Sequence, residues 1–178
     1  MAERDLTLRG TFDLADNALM APSELIFNYE SSNRTRAWEI DRAYLWPVTP
    51  REATGSGDGQ LLMQAILTTD TVSYSQFNQI GDLTDNRQVA WWNQAYQVRD
   101  AGTDFIHPRT NSPEDFECIL DPDTLVTTQL HICAAVTSDN ATSPVRTWGY
   151  LIILKARKIS AWESVFQQVK GMGQNLDN

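Results

Sequence analysis

Positive charge is scarce in this sequence: 14 Lys and Arg stand against 23 Asp and Glu, a formal net charge of −9 over 178 residues. Phosphate backbones are held by clustered Lys and Arg, and an acidic surface repels them at long range, so direct nucleic-acid binding is not expected. Cysteine is rarer still, with two residues. Cys118 and Cys133 lie in strand-like sequence behind no secretory signal, which favours buried, reduced thiols, although a disulfide between them stays open. No run of roughly 18 apolar residues exists, so no helical membrane span is expected. The start, Met1-Ala-Glu-Arg-Asp5, is polar and lacks the apolar core of a signal peptide, so export by that route is not expected either. Asn33-Arg-Thr35 and Asn140-Ala-Thr142 match the glycosylation sequon and read as chance matches in polar loops.

Chemical motifs are equally thin. No Gly-x-Ser-x-Gly nucleophile elbow occurs. Gly55-Ser-Gly-Asp-Gly59 has the glycines of a phosphate loop but not its Gly-Lys-[Ser/Thr] ending, and a strand pattern follows it where a helix would be needed. It reads as a hairpin loop. His131-Ile-Cys133 puts two donors on one strand face without a third ligand, and His107 stands apart in a long loop, so no metal is expected. Asp121-Pro-Asp123 offers hard oxygens for Ca²⁺, yet lacks the EF-hand glycine and glutamate and makes a good turn. The many carboxylates could meet in pairs after folding, but nothing in the sequence sets their separation. No catalytic residue and no cofactor is expected, and the chain is not read as an enzyme.

What is present is a good fold signal. Hydrophobic residues at 42% and charged residues at 21% are ordinary globular values, and 178 residues suit one domain with a sizeable core. Six Trp, five Tyr and six Phe favour strands and interfaces. The most informative stretch runs from Val145 to Lys170. Trp148, Tyr150, Ile152 and Leu154 alternate on one face of a strand to Ile159, with Leu151, Ile153 and Ile159 on the other, so this strand is expected at the centre of a sheet. Ser160 and Glu163 then have the spacing of a capping box. Trp162, Val165, Phe166 and Val169 follow at i, i+3, i+4, i+7 as one apolar helical face. Lys170 suits the negative end of the helix dipole, and Gly171 can take a left-handed stop.

Further strands are expected at Asp5–Phe12, Glu24–Tyr29, Arg36–Val48, Leu61–Thr69, Arg87–Val98, Phe116–Leu120 and Thr124–Val136. In the third of these, Trp38, Ile40, Tyr44 and Trp46 share one face. Thr71–Asp85 has Tyr74, Phe77 and Ile80 at helical spacing, which predicts a short surface helix. Arg51–Gly59 and Arg99–Glu114 are the long irregular loops. About eight strands without helices between them argue against βαβ units, and no repeat of 20–50 residues is visible. The expected fold is all-β: a two-sheet antiparallel β-sandwich, an eight-stranded jelly roll in particular, with a C-terminal α-helix at about 160–170, and residues 1–178 in a single domain. An immunoglobulin-like sandwich is the runner-up, but it is usually nearer about 100 residues, and Cys118 and Cys133 stand too close for its bridge.

Three features suggest contacts. Trp91 and Trp92 point oppositely on a strand, so one belongs to the core and the other to the surface, where it could stack on a sugar ring or meet a neighbouring subunit. The helix face of Trp162 and Phe166 either covers its own sandwich, the default, or projects to bind a neighbour. Lys155, Arg157 and Lys158 form a local basic cluster, read either as solvated strand-end charge or as a contact for an acidic surface of another copy. The expected subunit contacts are Trp92, Lys155, Arg157, Lys158, Trp162 and Phe166.

Taken together, the strands over Asp5 to Ile159, the long loops and the missing catalytic motif resemble single jelly-roll coat or vertex (penton-type) proteins of small icosahedral viruses. The resemblance is architectural and carries no residue-by-residue match. It implies a structural virion protein, major shell or vertex subunit, that forms homo-oligomers and meets other virion proteins. Many such proteins carry a basic N-terminal arm for the genome. This chain begins with an acidic, polar segment, so genome neutralisation would come from elsewhere. A carbohydrate-binding or lectin-like sandwich is the alternative, using an exposed Trp91 or Trp92.

Overall fold

The computed structural model describes residues 5–29, 35–48, 59–98, 105–106, 116–138 and 145–172. Both sequon asparagines, His107, the Gly-rich segment before Gly59 and most of the 99–115 loop lie outside these residues. The strands are β1 (Asp5–Ala15), β2 (Ala18–Leu19), β3 (Glu24–Asn28), β4 (Arg36–Pro47), β5 (Gly59–Thr68), β6 (Gln88–Val98), β7 (Phe105–Ile106), β8 (Ile119–Leu120), β9 (Gln129–Ser138) and β10 (Val145–Lys158). One helix, α1 (Ala161–Met172), follows them.

Two antiparallel sheets form a sandwich. One has the order β1-β10-β4, so β10 is central as its two apolar faces require. The other runs β2-β9-β5-β6-β7, with β3 also on β9 and β8 on β6. Residues 117 and 126 bridge to β4 through Tyr44–Glu117 and Trp38–Val126, which brings that segment to the open edge of the first sheet. The pairings nest: β1 with β10, β3 with β9, β4 with the 117–126 segment, and β5 with β6. A long hairpin folded over itself pairs in this way, and the topology is consistent with a jelly roll.

Between the sheets lies one core, with Phe12 and Leu14 of β1, Leu45 of β4, Met63 and Leu67 of β5, Trp92 of β6, Leu130 and Ile132 of β9, and Trp148, Ile152 and Leu154 of β10. Trp148 is fully enclosed, stacked on Phe12 (centroids 5.7 Å apart) and edge-on to Trp92 (5.6 Å). The strand expected over Thr124–Val136 begins only at Gln129. Val126 bonds instead with Trp38 across the first sheet, so the chain changes sheets between them.

The expected single face of Trp38, Ile40, Tyr44 and Trp46 is broken. Register with β10 jumps from Ile153–Arg42 to Leu154–Ile40, which leaves Asp41 as an extra residue. Such a bulge reverses the alternation beyond it. Ile40 therefore reaches the core on one side of it, and Ala43 and Leu45 on the other, while Tyr44 and Trp46 turn outward and stay half-buried. The Trp46 ring then lies over Gly149, where an added Cβ would come within 2.8 Å of it. Only glycine fits there.

The outer face of the second sheet carries its own cluster: Ile66, Cys133 and Ala135 are capped by Val72, Tyr74 and Ile80 from the β5–β6 connection. The surface helix expected in this connection is not there, and a single 3₁₀ turn at Phe77–Gln79 stands in its place. Buried side-chain bonds hold the loop to its path instead. Tyr74 donates to Asp85 Oδ2 (2.8 Å) and accepts from Gln88 Nε2 (2.9 Å). Gln88 Oε1 accepts from Gly81 N (3.0 Å) and Trp91 Nε1 (2.9 Å). Asp85 takes a two-pronged bond from Arg87, at 2.9 and 2.7 Å. Burial works against the ionised Asp85, but the bonds from Arg87 and Tyr74 outweigh it and hold its carboxyl below the usual range.

His131, on the same outer face of β9, is buried, with Nε2 3.2 Å from Gln129 Oε1. Burial lowers its pKa below 6.5, although Asp70 pulls the other way. A histidine depressed in the folded state leaves the unfolded chain binding more protons below pH 6.5. Its contribution is therefore present above about pH 6.5 and is lost as the pH falls. Denaturant midpoints taken between neutral pH and mild acid should drop for the native chain and drop less for His131→Gln. Equal slopes for the two would show that His131 does not set the dependence.

Candidate subunit-contact surface

Helix α1 begins as its sequence dictates. Ser160 Oγ accepts from Glu163 N (3.1 Å), and Glu163 Oε2 lies 3.4 Å from Ser160 N, a capping box with one long arm. Ser164 N donates to Ser160 O at 3.0 Å, the first helical bond. The orientation of the helix is the unexpected part. Its polar side faces the sandwich: Ser164 is buried, and Gln167 Nε2 donates to Asp123 O (3.1 Å). Lys170 Nζ reaches Thr124 Oγ1 (2.8 Å) and Asp121 Oδ2 (3.3 Å). The apolar side faces solvent, with Trp162 85%, Phe166 67%, Val169 53% and Val165 39% exposed. The default expectation, that this face covers its own sandwich, is overturned.

The anchor is the Asp121-Pro-Asp123 turn. Asp121 Oδ1 accepts from Asp123 N (2.9 Å), and Oδ2 accepts from Thr124 Oγ1. Burial opposes the ionised Asp121, but the bonds from Thr124, Asp123 and Lys170 prevail and hold its carboxyl below the ordinary value. Its oxygens thus serve the turn and the helix. Among the described residues no three His, Cys, Asp or Glu side chains gather as a metal site. His131 and Cys133 share a strand face, where Cys133 donates to Met20 O (3.2 Å). Both cysteines are free and buried, and burial pushes each thiol up to about 12.

Trp92, expected at a subunit contact, is 5% exposed and packs edge-on to Trp148, so its own core encloses it. Alternation predicts that the two tryptophans part; it is the core-facing phase of β6 that puts Trp92 inside. Trp91 is half-buried against the outer cluster, its indole N–H tied to Gln88. Lys155 pairs with Asp41 at 2.6 Å, and Arg157 with Glu39. These cross-strand partners on β4 balance the basic cluster; Lys158 is exposed beside it. Exposed pairs of this kind add little stability, about 0–1 kcal/mol. Of the six expected contact residues, the structure brings Trp162 and Phe166 together on one exposed face. Lys155, Arg157 and Lys158 lie at the end of β10 that leads into the helix.

Beside the helix is a cleft of about 240 Å³ lined by polar residues, among them Thr69, Asp70, Asn86, Thr127, Gln167 and Lys170. It offers no aromatic ring. The inward anchors Ser164, Gln167 and Lys170 were missed at the level of sequence, where their i, i+3, i+6 spacing is legible but reads as a solvated face. No helix is long and apolar enough to cross a membrane among the described residues. Neither the protein-family models nor the curated proteins contain a match to this chain.

Proposed function

We propose that the chain is a structural virion protein, a single jelly-roll coat or vertex subunit that works by self-association within an icosahedral particle. The observation that carries this reading is the reversed helix. An amphipathic helix normally turns its apolar side to its own core. This one spends its polar side on the sandwich and leaves two large aromatics and two valines in water, a cost that a partner surface would remove. The nested two-sheet topology is the second support, since jelly rolls serve as shell subunits as well as lectins and cupins. The carbohydrate-binding alternative has less support at the two tryptophans expected to carry it: Trp92 is in the core, Trp91 is half-buried with its indole N–H bonded to Gln88, and the cleft beside the helix has no ring on which a sugar could stack.

The test is the native mass by light scattering during size-exclusion chromatography, with negative-stain images of the main peak. The native chain is expected to run as closed oligomers or shell-like particles. Trp162→Glu combined with Phe166→Glu should abolish that assembly and leave the thermal melt within a few degrees, because both side chains already lie in water. A native chain that stays monomeric at every concentration would sink the self-association reading, and a glycan screen would then be the next experiment.

A further inference from the structure

The exposed stripe on α1 fits one particular occupant. Trp162, Val165, Phe166 and Val169 repeat at the three-and-four spacing of a coiled-coil seam over two turns. Together they leave roughly 450 Å² of apolar side chain uncovered, as large as the biggest patch on a typical monomer. Two such stripes pressed together can remove at most roughly 900 Å² from water, just under the lower bound of about 1,000 Å² for a specific interface, so flanking contacts make up the rest.

Charge favours a second copy over a lipid surface. The helix carries one acid and one base. Glu163 is turned to Ser160 in the capping box, and Lys170 is turned inward to Asp121 and Thr124. The charge that stays exposed within α1 is Glu163, which lies off the apolar stripe, although the chain as a whole is at −9. Helices that lie on membranes carry Lys and Arg beside the apolar face, and here the one Lys of the helix is spent on the sandwich while the net charge opposes anionic headgroups.

We infer that α1 forms a two-fold contact, packing antiparallel against α1 of a second copy. The inference rests on the self-association reading and makes it specific. An isologous contact lays the same patch on itself, and antiparallel packing opposes the two helix dipoles favourably. The centre of the stripe lies between Val165 and Phe166, so Val165 meets Phe166 of the second copy, each offset from its own counterpart by only about 1.5 Å along the axis, while Trp162 meets Val169 of the second copy.

Single cysteines on the stripe test this, because the two native thiols are buried and do not compete. With a short bis-maleimide linker, Phe166→Cys should form covalent dimers with itself. Trp162→Cys should cross-link efficiently only when mixed with Val169→Cys. Trp162→Glu, free of any linker, should weaken association at least 30-fold or so, as the loss of a large aromatic anchor does. Efficient dimers from Trp162→Cys alone would mean parallel packing and overturn the inference. So would an unchanged oligomer in Trp162→Glu, or no stripe cross-links while the native chain still assembles; in those two cases self-association stands and another surface carries it. A native chain that never associates removes the broader reading along with this one.

Discussion

Replacing Asp16 with alanine is expected to cost the fold about 3–5 kcal/mol, a large share of the roughly 5–15 kcal/mol that holds a domain of this kind together. Asp16 and Arg146 form a two-pronged ion pair with essentially no side-chain exposure. Nε bonds Oδ1, and Nη2 donates to Oδ2 at 2.7 Å. The pair sits where β1 turns toward β2 and where β10 begins, with Asn17 beside it in the left-handed conformation (φ 56°) and accepting from Ser138 N at 2.8 Å. Without the carboxylate, the guanidinium stays buried with its main partner gone, and desolvation is no longer repaid. The double variant Asp16→Ala/Arg146→Met should recover most of the loss, since an apolar pair of similar bulk avoids burying charge at all. Urea unfolding of the three proteins decides the matter. A single variant within 1 kcal/mol or so of the native chain would mean that water reaches the guanidinium.

Trp148→Ala is the second large effect, with an expected loss of about 3–5 kcal/mol. The ring is wholly enclosed between Phe12 of one sheet and Trp92 of the other, so its removal opens a cavity that neither sheet can collapse to fill. Trp162→Ala is the informative contrast. The same residue type is deleted, but from water, and the monomer should lose less than about 0.5 kcal/mol. If the two substitutions destabilised the monomer equally, the helix would be packed otherwise than described. Together the pair separates the fold from the proposed contact: Trp148 supports stability, and Trp162 lies on the face proposed for association.

The alternation in β10 was legible, and so was its central place. Trp148, Ile152 and Leu154 reach the core on one side, while this strand, the longest among the described residues, takes partners on both edges. The capping box at Ser160 and Glu163 was legible as well, because it depends on residues three apart. The face of β4 was not. One extra residue at Asp41 reverses the phase, and a bulge has no sequence signature as strong as the alternation it breaks. The β5–β6 loop departs from its sequence pattern for a related reason. Tyr74, Phe77 and Ile80 do stand at helical spacing, but Tyr74 bonds to Asp85 and Gln88, and those long-range bonds outcompete a marginal helix.

By itself the sequence determined the composition limits, the strand-rich two-sheet class, the start of the helix and the existence of its apolar stripe. These follow from short-range periodicity, which a chain carries wherever it folds. Only the tertiary structure decided that Trp92 goes inside, that Lys155 and Arg157 are balanced across the sheet, and that the stripe of α1 faces out. The last depends on Asp121, Asp123 and Thr124, some 44 to 49 residues away in the chain, which hold the helix by its polar side. The spacing of apolar residues gives a helix two different faces, but which of them meets the protein is settled by the partners that folding brings to it.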